Sequence, residues 1–259
     1  MSLRETTRLI VKLVEEHSGY PVQIIDDPSL STFASIRLAR RGGVPSHILT
    51  YRPSGNQAPD YFIAFQSGFA LRLYALPSER RFVIAMSTLG VQRVVKAMEE
   101  LLKQNDETLG RQEIEQASAQ LYGGLITHLS SVPVGLRVAR WLHESFPELH
   151  ELQRSAVNRE LELNQEAIQA SRVILLPEAV VKPTMAINAA FAQFWAREYG
   201  DPDLVAGYSS GPYAQAGERL LSLWDRKPAK SDADVELVDA WAGALGLAGW
   251  YTWKPYEAP

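Results

Sequence analysis

Cysteine is absent from all 259 residues, which removes disulfides and every thiolate-held metal site from consideration. Histidine is scarce: His17, His47, His128, His143 and His150 are the whole set, and no two stand three to five residues apart. No local pair of imidazoles therefore has metal-ligand spacing. No apolar run approaches the roughly eighteen residues a membrane span needs, and the opening MSLRETTRLIVKLVEEH is too charged for a secretory leader. Missing too are G-x-G-x-x-G, G-x-x-x-x-G-K-[ST] and G-x-S-x-G, so no nucleotide-phosphate cradle and no hydrolase elbow is visible. The expectation from these absences is a cytoplasmic protein with no cofactor, no metal and no membrane association.

What is present suffices for a sizeable core: 46% of residues are hydrophobic and 22% charged, ordinary values for a globular chain. Charge is uneven. Residues 1–105 hold 13 Lys and Arg against 9 Asp and Glu, a formal +4, while residues 106–259 hold 13 against 21, a formal −8. The asymmetry suggests two modules, 1–105 and 106–259.

Residues 3–17 have helical apolar spacing, closed by SGYP. PVQII, TFASIRLAR and SHILTYR read as strands, the last two joined as a hairpin through RGGVP. After the loop PSGNQAP, a helix opens with Asp60 as N-cap. SERRFVIAM is a short strand or an extended connection, and Leu89, Val94, Val95, Met98, Leu101 and Leu102 form one face of a helix over Thr88–Gln104. Beyond NDETLG the spacing is helical almost throughout, with breaks expected at Pro133, Pro147, Pro177 and Pro183. Thr184 is expected to cap a helix ending at Gly200, and residues 235–250 form another. The run at 225–234, DRKPAKSDAD, is the most linker-like. The fold class is α+β: a small helix-and-sheet module followed by an all-helical domain.

The helix opened by Asp60 carries the chemistry of interest. In DYFIAFQSGFALRLY, residues Phe65, Gln66, Ser67, Gly68 and Phe69 occupy the frame in which a zinc peptidase carries His-Glu-x-x-His. Tyr61, Ile63, Ala64, Gly68, Leu71 and Arg72 also suit such a helix, and residues 20–105 resemble the small zincin peptidases, including ImmA/IrrE-like proteins. The resemblance implies a zincin-like module in which Phe65 and Phe69 stand where zinc-ligating histidines would, and Gln66 where the general base would. Phenyl rings have no lone pair for a metal, and an amide oxygen is scarcely basic. The resemblance also places a third ligand on a later helix; Ala139 or Gly135 in PVGLRVARW marks its lost position, and Glu113 and Glu115 are the nearest acids after the motif. The plain alternative is a buried amphipathic helix, against which Gly68 is the odd residue.

Other constellations are weaker. His143, Glu144, Glu148 and His150 are metal-capable types, but Pro147 interrupts any shared helical face, so a structural role is expected. YSSGPY (208–213) is a turn-rich loop. Glycine pairs at 42–43 and 123–124 read as a hairpin turn and a helix contact or break. Arg37, Arg40, Arg41, Arg52, Arg72, Arg80 and Arg81 concentrate in the first module, but a pI near 5.8 argues against a nucleic-acid partner. The aromatic tail GWYTWKPY is expected to fold back and seal the helical half. The resulting expectation is a catalytically inactive peptidase-like protein acting through protein–protein contacts. The competing readings are a hydrolase using Glu113, Glu115 or His128, and a nucleic-acid-associated factor using the Arg-rich hairpin.

Overall fold

A computed structural model describes residues 3–30, 32–40, 43–53, 59–171, 175–208 and 212–256. Helix α1 (Glu5–Ser18) ends where Gly19 adopts φ +74° and returns its N–H to the Glu15 carbonyl. Strands β1 (Val22–Asp26), β2 (Ala34–Arg37) and β3 (His47–Tyr51) make one sheet with β3 in the centre, parallel to β1 and antiparallel to β2. The β2–β3 pair is the expected hairpin, although β2 uses only four residues of its run. Its turn is closed by Arg40 N–H to the Val44 carbonyl and Gly43 N–H to the Arg40 carbonyl; Arg41 and Gly42 lie outside the described residues. Alternation is clean on β3, where His47, Leu49 and Tyr51 are buried.

Helix α2 (Asp60–Tyr74) packs under this sheet, Ile63 joining Leu49 and Tyr51 in a small core. Its N-cap is Pro59, one residue earlier than expected. Asp60 therefore lies inside the first turn, where its carboxylate accepts the Arg4 backbone N–H at 2.7 Å and ties α1 to α2. A short turn leads into β4 (Phe82–Met86) and then α3 (Thr88–Gln104), whose boundaries match the apolar spacing. Ser87 caps α3, its hydroxyl accepting the Gly90 N–H at 3.0 Å.

The second half is built from α4 (Arg111–Ser145), α5 (His150–Ser171), α6 (Glu178–Tyr199), α7 (Pro212–Arg226) and α8 (Asp234–Ala244) around Tyr122, Phe194, Trp195 and Trp241. Two expected breaks do not occur: Pro133 lies inside α4 and Pro183 inside α6, both buried. Each removes one helical hydrogen bond, a local loss that burial of the long helix outweighs. Thr184 is consequently not a cap; its hydroxyl donates to the Val180 carbonyl one turn back, and Pro177 holds the N-cap. Gly200, at φ +64°, does close α6. The helix expected over 235–250 stops at Ala244, because Gly246 and Gly249 take positive φ and turn the chain.

That turn delivers the tail to an unforeseen partner. Strand β5 (Tyr251–Pro255) pairs antiparallel with β4, Met86 opposite Tyr251 and Phe82 opposite Pro255. It also seals α8 as expected, Tyr251 Oη and Trp253 Nε1 both donating to Asp239 Oδ1 at 2.6 and 2.9 Å. The architecture is α+β, with helices dominating the later part. Contacts cross residue 105 repeatedly: β4 with β5, Gly90 against the Tyr122 ring, and α2 against α4. No helix of the described residues is long and apolar enough to cross a membrane.

Candidate functional site

The peptidase-like frame lies where α2 meets α4. Two glycines set the approach. A Cβ built on Gly68 would overlap Cγ1 of Val138, so only glycine lets the helices come this close. On the other helix, a Cβ built on Gly135 would stand 3.1 Å from Phe65 Cζ and 3.4 Å from Phe69 Cζ. Phe65 and Phe69 meet edge-to-face at 5.3 Å, and Tyr61 adds a third ring 5.9 Å from Phe65. Positions 65, 69 and 135 thus converge on one point between two helices, and none carries a metal-binding atom. Both phenylalanines are partly buried and touch the core.

Gln66 points away from that point. Its Nε2 donates to the Ala34 carbonyl at 3.1 Å, bridging α2 to the edge strand β2. Phe33, just before that strand, stacks on Phe62 at 4.8 Å and receives the Arg52 guanidinium 5.2 Å over its ring. The glutamine is a strap to the sheet, and its amide has no capacity to take a proton.

Of the suggested third-ligand positions, Gly135 faces the rings. Ala139 is buried one turn further on, its carbonyl accepting Gln153 Nε2 at 2.9 Å. Glu113 and Glu115 lie at the start of α4, about 30 Å along its axis from Gly135 at 1.5 Å per residue. Glu113 accepts the Gly110 N–H at 2.8 Å and Glu115 pairs with Arg111 at 2.9 Å. Neither reaches the frame.

His143 and His150 are brought together, their rings stacked at 4.2 Å by the short turn at Pro147. One nitrogen of each ring is taken by a protein partner: His143 Nδ1 lies 2.8 Å from Gln153 Oε1, and His150 Nε2 donates to the His143 carbonyl at 2.7 Å. Glu148 instead accepts the Thr6 hydroxyl, a bond that holds its carboxyl below the usual range, while Glu144 is exposed. His128 pairs with Asn188 Oδ1 at 2.7 Å, and burial lowers its pKa although that bond opposes the shift. No group of three or more acidic or imidazole ligands is placed to hold a metal among the described residues.

The arginines do not form one stripe. Arg72 grips Asp234 through both carboxylate oxygens at 2.7 Å, and Arg137 shares the same carboxylate at 2.6 Å. Both also reach backbone carbonyls of residues 227–230, so the linker-like run is clamped to α2 and α4. Arg81 lies over Tyr74 and donates to the Leu76 carbonyl, and Arg80 approaches Asp232 at 3.9 Å. Arg37 and Arg40 are exposed near the edge of the sheet; Arg41 and residues 209–211 of YSSGPY lie outside the described residues. The Asp234 clamp had no sequence signal, since its members are 65 to 162 residues apart. Comparison of the chain with known protein families, with characterised proteins and with solved structures finds no match.

Proposed function

We propose that this is a catalytically inactive, peptidase-like protein that works through contacts with other proteins. The observation that carries the reading is the chemistry at the convergence point: Phe65, Phe69 and Gly135 occupy the three positions from which a two-histidine-plus-acid site would be built, with Gln66 strapped to Ala34. Aromatic rings fill the space that a metal and its water would need, so a polar cavity is replaced by core.

A contact surface is supported by β4. Among the described residues, Phe82, Val83, Met86 and Leu89 are four of the eight exposed large hydrophobic side chains, all within eight consecutive positions. The strand FVIAM has no charge or proline, and only β5 pairs with it among the described residues. An apolar unguarded edge of this kind suits addition of a partner's extended segment.

Two measurements test the two halves. After incubation with zinc and dialysis, the protein should retain far less than one zinc per chain and leave unstructured peptides uncut; about one tightly held zinc per chain overturns the inactive assignment. Photo-crosslinking from position 89 in the source organism's lysate should give discrete adducts that Met86→Glu removes. Adducts unchanged by that substitution overturn the assigned surface.

A further inference from the structure

His47 is the only histidine with no exposed surface, and its ring is held from both sides. The Ala39 backbone N–H donates to Nδ1 at 3.0 Å, and Nε2 lies 2.9 Å from the Ser18 hydroxyl. A backbone N–H can only donate, so Nδ1 must be the unprotonated nitrogen and Nε2 carries the hydrogen. Ser18 satisfies that hydrogen while its own oxygen serves the Tyr20 N–H at 3.1 Å.

Ala39 gathers more than this bond. It is fully buried just beyond β2, and its carbonyl accepts the hydroxyls of Tyr74, at the end of α2, and Tyr256, just past β5, the latter at 2.7 Å. Tyr256 also donates its N–H to the Arg81 carbonyl at 2.8 Å. One peptide segment therefore connects the first sheet, the peptidase-like helix and the last strand, and the His47 ring holds that segment in place.

We propose that His47 is a proton-operated latch: protonation of Nδ1 ejects the Ala39 N–H and frees the junction between the first sheet and the C-terminal ribbon. An imidazolium at Nδ1 would set two donors against each other, and the segment that moves takes with it the acceptor of both tyrosines. The groups around the ring do little to accommodate the charge. From the α1 side comes Glu15, whose Oε1 accepts the Val22 N–H at 2.8 Å; His17, exposed on the same helix, is bonded to the Leu13 carbonyl. Tyr20 and Tyr74 present their rings edge-to-face at 5.9 and 5.3 Å, and the Arg81 cation lies 4.5 Å over the Tyr74 ring. Tyr256 faces Tyr74, and Arg40 adjoins Ala39 at the surface. Burial lowers the His47 pKa and only Glu15 works against it. The folded, latched state thus resists the proton that the released state accepts near pH 6.5, so the latch is closed above that pH and loosens as pH falls below it.

The test is amide exchange by NMR, expressed as protection factors so that the intrinsic pH dependence cancels. Between about pH 7.5 and pH 5, protection at Ala39 should fall up to about thirtyfold, the released state's gain from proton uptake about 1.5 units below its pKa. Leu49, in the centre of the same sheet, should change far less. His47→Asn keeps an acceptor at the Nδ1 position and removes the titration, so its Ala39 protection should be independent of pH. Equal loss at Ala39 and Leu49, or the same pH response in His47→Asn, overturns the latch. Should the variant not fold, the unmodified protein decides alone: a His47 ring signal titrating at or above about 6.5 with Ala39 still protected also overturns it.

Discussion

Gly135 has no side chain, yet its position gives the α2–α4 contact its chemical interest. On the proposed reading its place facing Phe65 and Phe69 is where a third ligand would complete a metal site, so such a site should be obtainable by substitution there and nowhere else nearby. In Phe65→His/Phe69→His, zinc binding should be weak, because two imidazoles fill half of a tetrahedral shell. Adding Gly135→Glu should tighten it roughly tenfold or more, about 1.4 kcal/mol or above, whereas adding Ala139→Glu should not; calorimetric titration of the three variants decides. None of these variants should cleave peptides while Gln66 remains. Gln66 makes a prediction of its own. Gln66→Glu replaces a donor to the Ala34 carbonyl by a carboxylate facing that carbonyl, and should cost about 1–2 kcal/mol near neutrality. Protonation of the introduced carboxyl restores the hydrogen bond, so its folded pKa is raised and the loss should shrink as pH falls through that pKa. Urea melts near pH 4 and pH 7 would reveal it, and a loss equal at both would contradict the strap.

At the scale of elements, Gly68 separates two effects that oppose each other. Alanine at a helical glycine normally gains about 1 kcal/mol, but here its Cβ would meet Val138, a β-branched side chain with one favoured helical rotamer. Gly68→Ala should therefore destabilise by about 1–3 kcal/mol, and Val138→Ala in the same chain should recover much of that, a coupling that a double-mutant cycle of urea melts measures. The oddness of Gly68 was legible in the sequence; the reason for it, a close helix crossing, was not. Helix α3 was legible to its ends because apolar spacing is a local signal; the Ser87 cap that fixes its start is seen only in the structure. Pro133 and Pro183 misled for the same reason: the cost of a proline is local, while the burial that tolerates it comes from residues far along the chain. Strand pairing was half legible. The β2–β3 hairpin announced itself through its turn, whereas β1 alongside β3 and β5 alongside β4 are choices of distant partner that no window of sequence contains. The candidate site divides likewise: the pentad frame is contiguous and could be read, but which residue of α4 faces it depends on a crossing angle.

The whole molecule couples these parts, and pH probes the coupling. His128 is held neutral in the helical half against Asn188, with its pKa lowered by burial. The unfolded chain takes up a proton near pH 6.5 and the folded one resists it, so this group's contribution is intact above about 6.5 and is lost as pH falls below it. Thermal melts should show Tm falling between about pH 6.5 and 5, with His128→Gln flattening the part of that fall which His47→Asn does not. A Tm independent of pH across that window would mean both rings accept protons without opening the fold. The pairing of β4 with β5 acts on a different clock. At roughly 5–20 residues per second, a ribosome reaches residue 255 some ten to thirty seconds after it has made Met86. Throughout that interval the nascent chain holds a charge-free apolar strand with neither edge occupied by its final partner. The strand is thus open to chaperones and to neighbouring chains on the polysome until β5 emerges and closes one of its edges, while the other edge and the side chains of Phe82, Val83 and Met86 stay exposed in the folded protein.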